Sequence, residues 1–543
     1  ANEDDYWQQH VQYIINVEFD ASNHLLHGEE KIYYTNNSPD TLHEIYMHLY
    51  ANAFRKHSLM AREMLKCGVH LIADEENKGY IKIHNLKLGY GTSTPVNFKN
   101  YRIYETLLKI SLPRALQPGE KLNLELSFEV KIRKFNSEGG KGGYIGKHHV
   151  ISQWYPKICV YDKNGWNNMP YHWLGEFYGE FGTFDVTITT PYDYIIAATG
   201  NIISGNPGWK LVEVDSTLTN RIHDIRKHLA DYADQNVKRT VRFYAENVHD
   251  FAWVTSPDFV YQTGTYKNIT IHALFKWQEK ESWQDNVVPK CIKSLKWLTS
   301  YIGEFPYNQL TAVQGIGRNS MEYPMCIVLG MNRTNTIFHE IAHNYFYGAL
   351  ANNEQTEGWI DEGMVTYLTE LFSGNLKAKA SIQSKLLKRN ILNTTYYSIR
   401  LNYLSYYLCS DLQIPMATPC YQNRNRIAYS LNNYVKGAFF FRMLNHVVGE
   451  DNFKKILQTL YQKYKFQHIN EQRLYQIVQE FSESDLNWFF TQWLHGTIDV
   501  DYALNSILKK QQEDGSWKAR VKLERHGKRS EEHTSELQSP LCI

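Results

Sequence analysis

Two histidines four residues apart, with a glutamate directly after the first, constrain this chain more than any other feature. The stretch reads His339-Glu340-Ile341-Ala342-His343. Positions four apart lie on one face of a helix, so both imidazoles reach a common point only if this stretch is helical. Eighteen residues then separate His343 from Glu362. Gly358 and Trp359 lie in the connection, so a second helix can turn back and bring Glu362 beside the histidines. Ile337, Phe338, Ile341, Ala342, Tyr345 and Phe346 recur at helical spacing, and Thr334 or Asn335 is the expected helix cap. Two neutral imidazoles and a carboxylate form a three-ligand zinc set with one position open for water. His339, His343 and Glu362 are therefore the expected ligands of one zinc ion. Glu340 is expected to take a proton from water and deliver it to a leaving amine. The competing reading, two satisfied core histidines, leaves Glu340 in an apolar setting that demands a partner.

Around this motif the hydrophobic period changes twice, from strand to helix near residue 280 and back to strand after Gly496. Val11 to Phe19 alternates, a polar turn follows at 21–24, and Lys31 to Thr35 resumes the strand pattern. Similar runs recur at Lys121–Val130, Phe184–Thr189 and Thr240–Tyr244, so residues 1–248 read as one large antiparallel β domain. Gly139 to Gly143 is glycine-rich but lacks the spacing of a phosphate-binding loop and reads as a connection. From about residue 280 the period is helical, through Val287–Tyr301, Thr336–Leu350, Asp361–Ser373, Asn432–Val448, Asp451–Tyr464, Glu471–Phe481 and Asp485–Leu494. The expected class is multidomain α+β, with a mostly helical domain at 249–500. Tyr502–Lys509 and Trp517–Leu523 read as one hairpin, which is marginal alone, so 501–528 is expected to begin a third, truncated β domain. Residues 529–543 carry no hydrophobic period; Arg529 to Ser539 resembles a translated DNA sequencing adapter and is set apart from the fold.

Composition excludes more than it selects. At 543 residues the chain exceeds a single core. A formal charge of +1 offers no electrostatic case for nucleic acid. No apolar run approaches the roughly 18 residues that cross a bilayer. Seven cysteines contain no C-x-x-C pair, which rules against a thiolate zinc site; free thiols are expected, with a Cys409–Cys420 bridge left open. The chain starts at Ala1, which fits a removed signal peptide as well as a fragment. A periplasmic or secreted location is the expectation, with a cytoplasmic one the alternative.

The motif set resembles the gluzincin aminopeptidases, the family of aminopeptidase N and leukotriene hydrolase. Its H-E-x-x-H, eighteen residues, then E within W-x-N-E-G, corresponds to His339, Glu340, His343 and Glu362 in Trp359-Ile360-Asp361-Glu362-Gly363, with Asp361 where the family has Asn. The family's G-x-M-E-N strand is similar to Asn319-Ser320-Met321-Glu322-Tyr323, in an M-E-Y-P form associated with bacterial relatives. That implies substrate contacts from Met321 and Glu322, the latter pairing with the free α-amino group. The family's Y-x-K-G-A segment corresponds to Tyr434-Val435-Lys436-Gly437-Ala438 and implies that Tyr434, rather than Tyr429, stabilises an oxyanion. A Q-x-[QE] segment is matched only at Gln153 in Gln153-Trp154-Tyr155, which implies an altered second contact to the amino group. The resemblance implies a saddle-shaped β domain, a thermolysin-like catalytic domain, and peptide substrates with a free amino terminus. A zinc endopeptidase and a catalytically silent binding scaffold of the same fold are the alternatives.

Overall fold

The computed structural model describes residues 6–74, 77–136, 141–215, 217–374, 380–384, 389–394, 413–497 and 502–525. Cys409, Cys542 and the adapter-like residues 529–543 lie outside them, and Cys420 is a buried free thiol. The chain is multidomain, β-rich in its N-terminal half and mainly helical beyond.

The N-terminal half is built on an eight-stranded sheet. Its spatial order is Asn201–Gly205, Lys238–Val248, Gly182–Pro191, His10–Asp20, Leu25–Thr35, Lys121–Lys131, Tyr80–Tyr90 and Val96–Asn97. Strict alternation drives this sheet: along His10–Asp20 the side chains of Val11, Tyr13, Ile15, Val17 and Phe19 are buried, while the intervening residues face outward. The expectation of a purely antiparallel domain needs one correction. His10–Asp20 runs parallel to Gly182–Pro191, with Val11 opposite Gly182. Period-two patterning specifies a face but not a direction, and the long chain between these strands permits the parallel crossover. A smaller sheet, ordered Ile195–Ala198, Trp253–Ser256, His148–Ile151 and Gly143–Ile145, carries the chain into Gln153.

A four-stranded mixed sheet opens the second half: Phe259–Tyr266, Ile269–Lys276, Gln309–Gln314 and Cys326–Leu329. The first pair is antiparallel and the last two strands join in parallel. Every residue of Gln309–Gln314 and Cys326–Leu329 is buried, as parallel strands covered on both faces are. Helices then follow at Val287–Tyr301, Thr334–His343, Trp359–Ser373, Gly437–Val448, Glu450–Tyr464 and Glu471–Glu480. The helix expected at 336–350 ends at His343; turns and the short strand Leu350–Ala351 replace its second half. Its N-cap is Arg333, with no side-chain cap, rather than Thr334 or Asn335. The helix expected at 432–448 instead begins with a π-helical stretch, Leu431–Lys436. Tyr502–Gln511 and Trp517–Arg525 pair as the expected hairpin, with Ile507, Leu508, Trp517 and Val521 exposed. No described helix is long and apolar enough to cross a membrane.

Candidate active site

The helix Thr334–His343 packs with the buried Ile337, Phe338, Ile341 and Ala342 in the core, leaving His339 and His343 on the face toward Trp359–Ser373. There His339 Nε2 and His343 Nε2 are 3.2 Å apart. Glu362 Oε2 lies 3.4 Å from His339 Nε2 and 3.4 Å from His343 Nε2. Zinc bonds of about 2.0–2.2 Å in a tetrahedron place ligand atoms about 3.3–3.6 Å apart, close to the edges of this triangle. Glu362 Oε2 is buried with no hydrogen-bond partner, the condition expected of an oxygen reserved for a metal. The other imidazole nitrogen of His343, Nδ1, faces the Phe346 carbonyl at 3.2 Å and Asp361 Oδ2 at 3.6 Å, which leaves Nε2 for the cluster. Among the described residues this is the one His/Cys/Asp/Glu group arranged to hold a metal ion.

Why the two elements meet so closely is visible one residue beyond Glu362. A methyl group added at Gly363 would come 2.8 Å from Gly437 Cα, and one added at Gly437 would come 2.8 Å from Gly363 Cα. The helix of Glu362 and the segment of Tyr434 therefore touch backbone to backbone, which only glycine permits. Tyr434 lies in the π-helical stretch, a distortion frequent at functional sites. Its hydroxyl donates to Glu362 Oε1, and its ring is nearly parallel to His339 at 6.5 Å. Burial and then Glu362 push the Tyr434 pKa well above 10, so the phenol keeps its proton. Tyr429 packs with Leu174 and Cys420, and its hydroxyl has no partner.

Glu340 is 6% exposed. Burial, and next the nearby Glu322 carboxylate, raise its pKa well above 4.5. Met321 and Glu322 are buried beside the edge strand: Met321 bridges Val328 through two backbone bonds of 2.8 Å. Asn344 ties this loop to the His343 helix. It accepts from the Met325 amide at 2.9 Å and donates to the Glu340 carbonyl at 3.3 Å.

Gln153 stands in the β-rich half with φ of +53°, a left-handed conformation costly for a residue with a side chain. Its Nε2 donates to Asp250 Oδ2, and Tyr155 donates to Asp250 Oδ1 at 3.1 Å. The tyrosine at the departed motif position thus braces the carboxylate that orients Gln153. Lys157, 3.3 Å from Asp250 Oδ2 and equally buried, balances the charge. Among the described residues Gln153 shows no hydrogen bond to the His339–His343–Glu362 triangle; its neighbour Ser152 faces Tyr323, the residue after Glu322.

Sequence reasoning passed over three groups. Asp361 accepts from Asn352 at 2.8 Å and backs His343. Glu354, 0% exposed, accepts from the Phe177 amide at 3.0 Å; burial and then Asp361 raise its pKa well above 4.5. Lys141, in the middle of the glycine-rich connection, pairs with Glu176 and lies in the field of Glu322, Glu354 and Glu362. Only Asp361 had a local signal, as the substituted position of the W-x-N-E-G segment.

Comparison with known proteins points to one family. Residues 329–493 match the Peptidase family M1 domain. Aminopeptidase M1-D of Oryza sativa subsp. japonica is 24% identical over 158 residues, 29% of this chain and 17% of that protein. Aminopeptidase B of Mus musculus is 27% identical over 171 residues, 30% of this chain and 24% of that protein. The matched stretch thus spans less than a quarter of the length of these curated relatives. In fold, the M1 zinc metallopeptidase of Deinococcus radiodurans superposes with a TM-score of 0.60 at 13% identity, covering 90% of this chain and 94% of that one. A variant of it bound to a Tyr-Ser-Ala substrate gives 0.58.

Proposed function

The chain carries a peptidase family M1 domain at residues 329–493, and from that premise we propose that it is a zinc-dependent aminopeptidase hydrolysing the first peptide bond of peptides. The observation that carries this reading is the triangle of His339 Nε2, His343 Nε2 and Glu362 Oε2, with its unpartnered carboxylate oxygen. These three residues would hold one zinc ion. When bound there, zinc supplies Lewis acidity, polarising a carbonyl and lowering the pKa of a water toward about 7.

The remaining work falls to the chain's own groups. Glu340 takes the proton of the attacking water and passes it to the departing amine, a role suited to a buried carboxyl whose pKa is raised. Tyr434, protonated at every pH of interest, turns its hydroxyl from Glu362 to the developing oxyanion. Glu322 pairs with the substrate's ammonium group, Met321 packs beside it, and Gln153, held by Asp250, makes the second amino-terminal contact. Asp361 and Phe346 fix the His343 ring. A saddle shape for residues 1–248 and a thermolysin-like unit at 249–500 belong to the same reading, as does residues 501–528 forming a separate β unit.

Free and N-acetylated forms of one peptide test the proposal. An aminopeptidase cleaves the first and leaves the second, because acetylation removes the charge that Glu322 binds. Comparable cleavage of both would replace this reading with a zinc endopeptidase.

A further inference from the structure

Behind Gln153 lies a cavity of about 50 Å³, room for a few water-sized groups or one short side chain. Its wall includes Arg133, Lys141, Gly143, Gln153, Tyr50 and Tyr171. Arg133 is the anomaly. It is 4% exposed, and its Nε and Nη2 have no hydrogen-bond partner. Only aromatic faces cover it: the Phe54 ring at 4.3 Å and the Phe135 ring at 5.6 Å. Among the described residues no carboxylate acts on it. Burial pushes its pKa down to about 10, so it remains charged at neutral pH. A buried guanidinium without an anion costs several kcal/mol in general, and its planar fork matches the geometry of a carboxylate.

The neighbours indicate where that anion comes from. Lys141 is already matched by Glu176, so the uncompensated charge is that of Arg133. Gln153, the proposed second contact to the substrate's amino group, is itself part of the cavity wall, which joins the cavity to the proposed amino-terminal anchor. Gln153 Oε1 is a buried acceptor with no donor, complementary to an ammonium group. Close approach of strand Gly143–Ile145 completes the wall: Gly143 has φ of +139°, and a methyl group there would meet the Arg133 carbonyl at 2.9 Å. One cavity therefore presents an orphan acceptor, suited to an α-amino group, and an orphan cation, suited to a carboxylate.

We propose that this cavity receives the side-chain carboxylate of an acidic first residue, aspartate or glutamate, and that Arg133 is the group that recognises it. The inference rests on the aminopeptidase reading for the source of the carboxylate. The carboxylate pocket itself can be read without turnover.

The test uses the full chain with zinc, the variants Arg133→Gln and Arg133→Met, and anilides of Glu, Asp, Gln, Ala and Leu. The wild type should favour Glu or Asp over Gln by at least tenfold in kcat/KM, and either variant should reduce the Glu-to-Gln ratio at least tenfold. Independently of activity, L-glutamate should raise the melting temperature of the wild type more than L-glutamine does, and both variants should abolish the difference. Neither substitution should lower the melting temperature without ligand, because each removes an unpaired buried charge. A Gln preference equal to Glu, or an equal loss on all five anilides, overturns the proposal. So does a large fall in melting temperature with glutamate binding intact, which would assign Arg133 to packing against Phe54. If acetate or glutarate alone binds through Arg133 and alters Ala-anilide turnover, the occupant is a free carboxylate and the substrate assignment falls. If glutamate binds through Arg133 while no free-amino anilide is cleaved, the aminopeptidase reading fails, and with it the substrate assignment, leaving a carboxylate site of other purpose.

Discussion

Tyr434 shows how one residue depends on its surroundings. Its hydroxyl is held by Glu362, and its high pKa makes it a neutral donor rather than a base. Tyr434→Phe should therefore lower kcat by about 10²–10³, the usual loss for one oxyanion donor, with zinc content unchanged. Loss of zinc in this variant would move Tyr434 from catalysis to metal retention. At this scale the site was legible where chemistry imposes spacing. His339, His343 and Glu362 announced themselves because a helix turn and a metal fix their separation. Gln153 was legible only as a partial motif. Its left-handed backbone and its brace from Asp250, 97 residues away, leave no mark in local sequence. Arg133 left none either, since an unpaired charge is a property of what surrounds it.

At the level of elements, the crossing of Trp359–Ser373 with the segment after Tyr434 sets the site's width. Gly363 and Gly437 let the backbones meet. Gly437→Ala forces them apart and should cost about 1–3 kcal/mol in urea denaturation, as overpacking does. Because Tyr434 and Glu362 move with these backbones, kcat should fall more than KM rises. A stable variant with unchanged kcat would show that the crossing does not position Tyr434. Helices such as Val287–Tyr301 and Glu450–Tyr464 were readable from their period, nearly to the residue. The π-helical stretch was not, because one extra residue per turn alters neither composition nor apolar content. The strands Gln309–Gln314 and Cys326–Leu329 were missed for a different reason: strands buried on both faces do not alternate, so period-two reading passes over them.

Across the whole molecule, burial of titratable groups predicts an acid-labile fold. His48, His149 and His249 are buried, and burial lowers each pKa to about 3. Below the unfolded value near 6.5 the unfolded chain takes up protons that the folded chain refuses. Their contribution is therefore complete above pH 6.5 and is lost as pH falls toward 3. Glu357, raised to about 7 mainly by burial, acts oppositely between about pH 4.5 and 7. Asp361, raised from 3.8 to about 6 mainly by burial, opposes them as well until pH falls below 3.8; each histidine is worth about 1.4 kcal/mol per pH unit. Urea midpoints should thus drop steeply between pH 4.5 and 3; a flat profile there would mean that these histidines are solvated. The division into a β-rich half and a helical half was legible because the hydrophobic period changes near residue 280 and stays helical to about residue 494. The parallel pairing of His10–Asp20 with Gly182–Pro191 was not, since direction is decided by the long connection and not by either strand.

The central claim is that Glu340 moves protons beside a zinc ion held by His339, His343 and Glu362. It is tested most directly by measuring zinc content and turnover together in Glu340→Gln. The account predicts one zinc per chain in wild type and variant alike, with kcat on a free-amino anilide reduced by about 10²–10⁴. Near-normal kcat with zinc retained would contradict it.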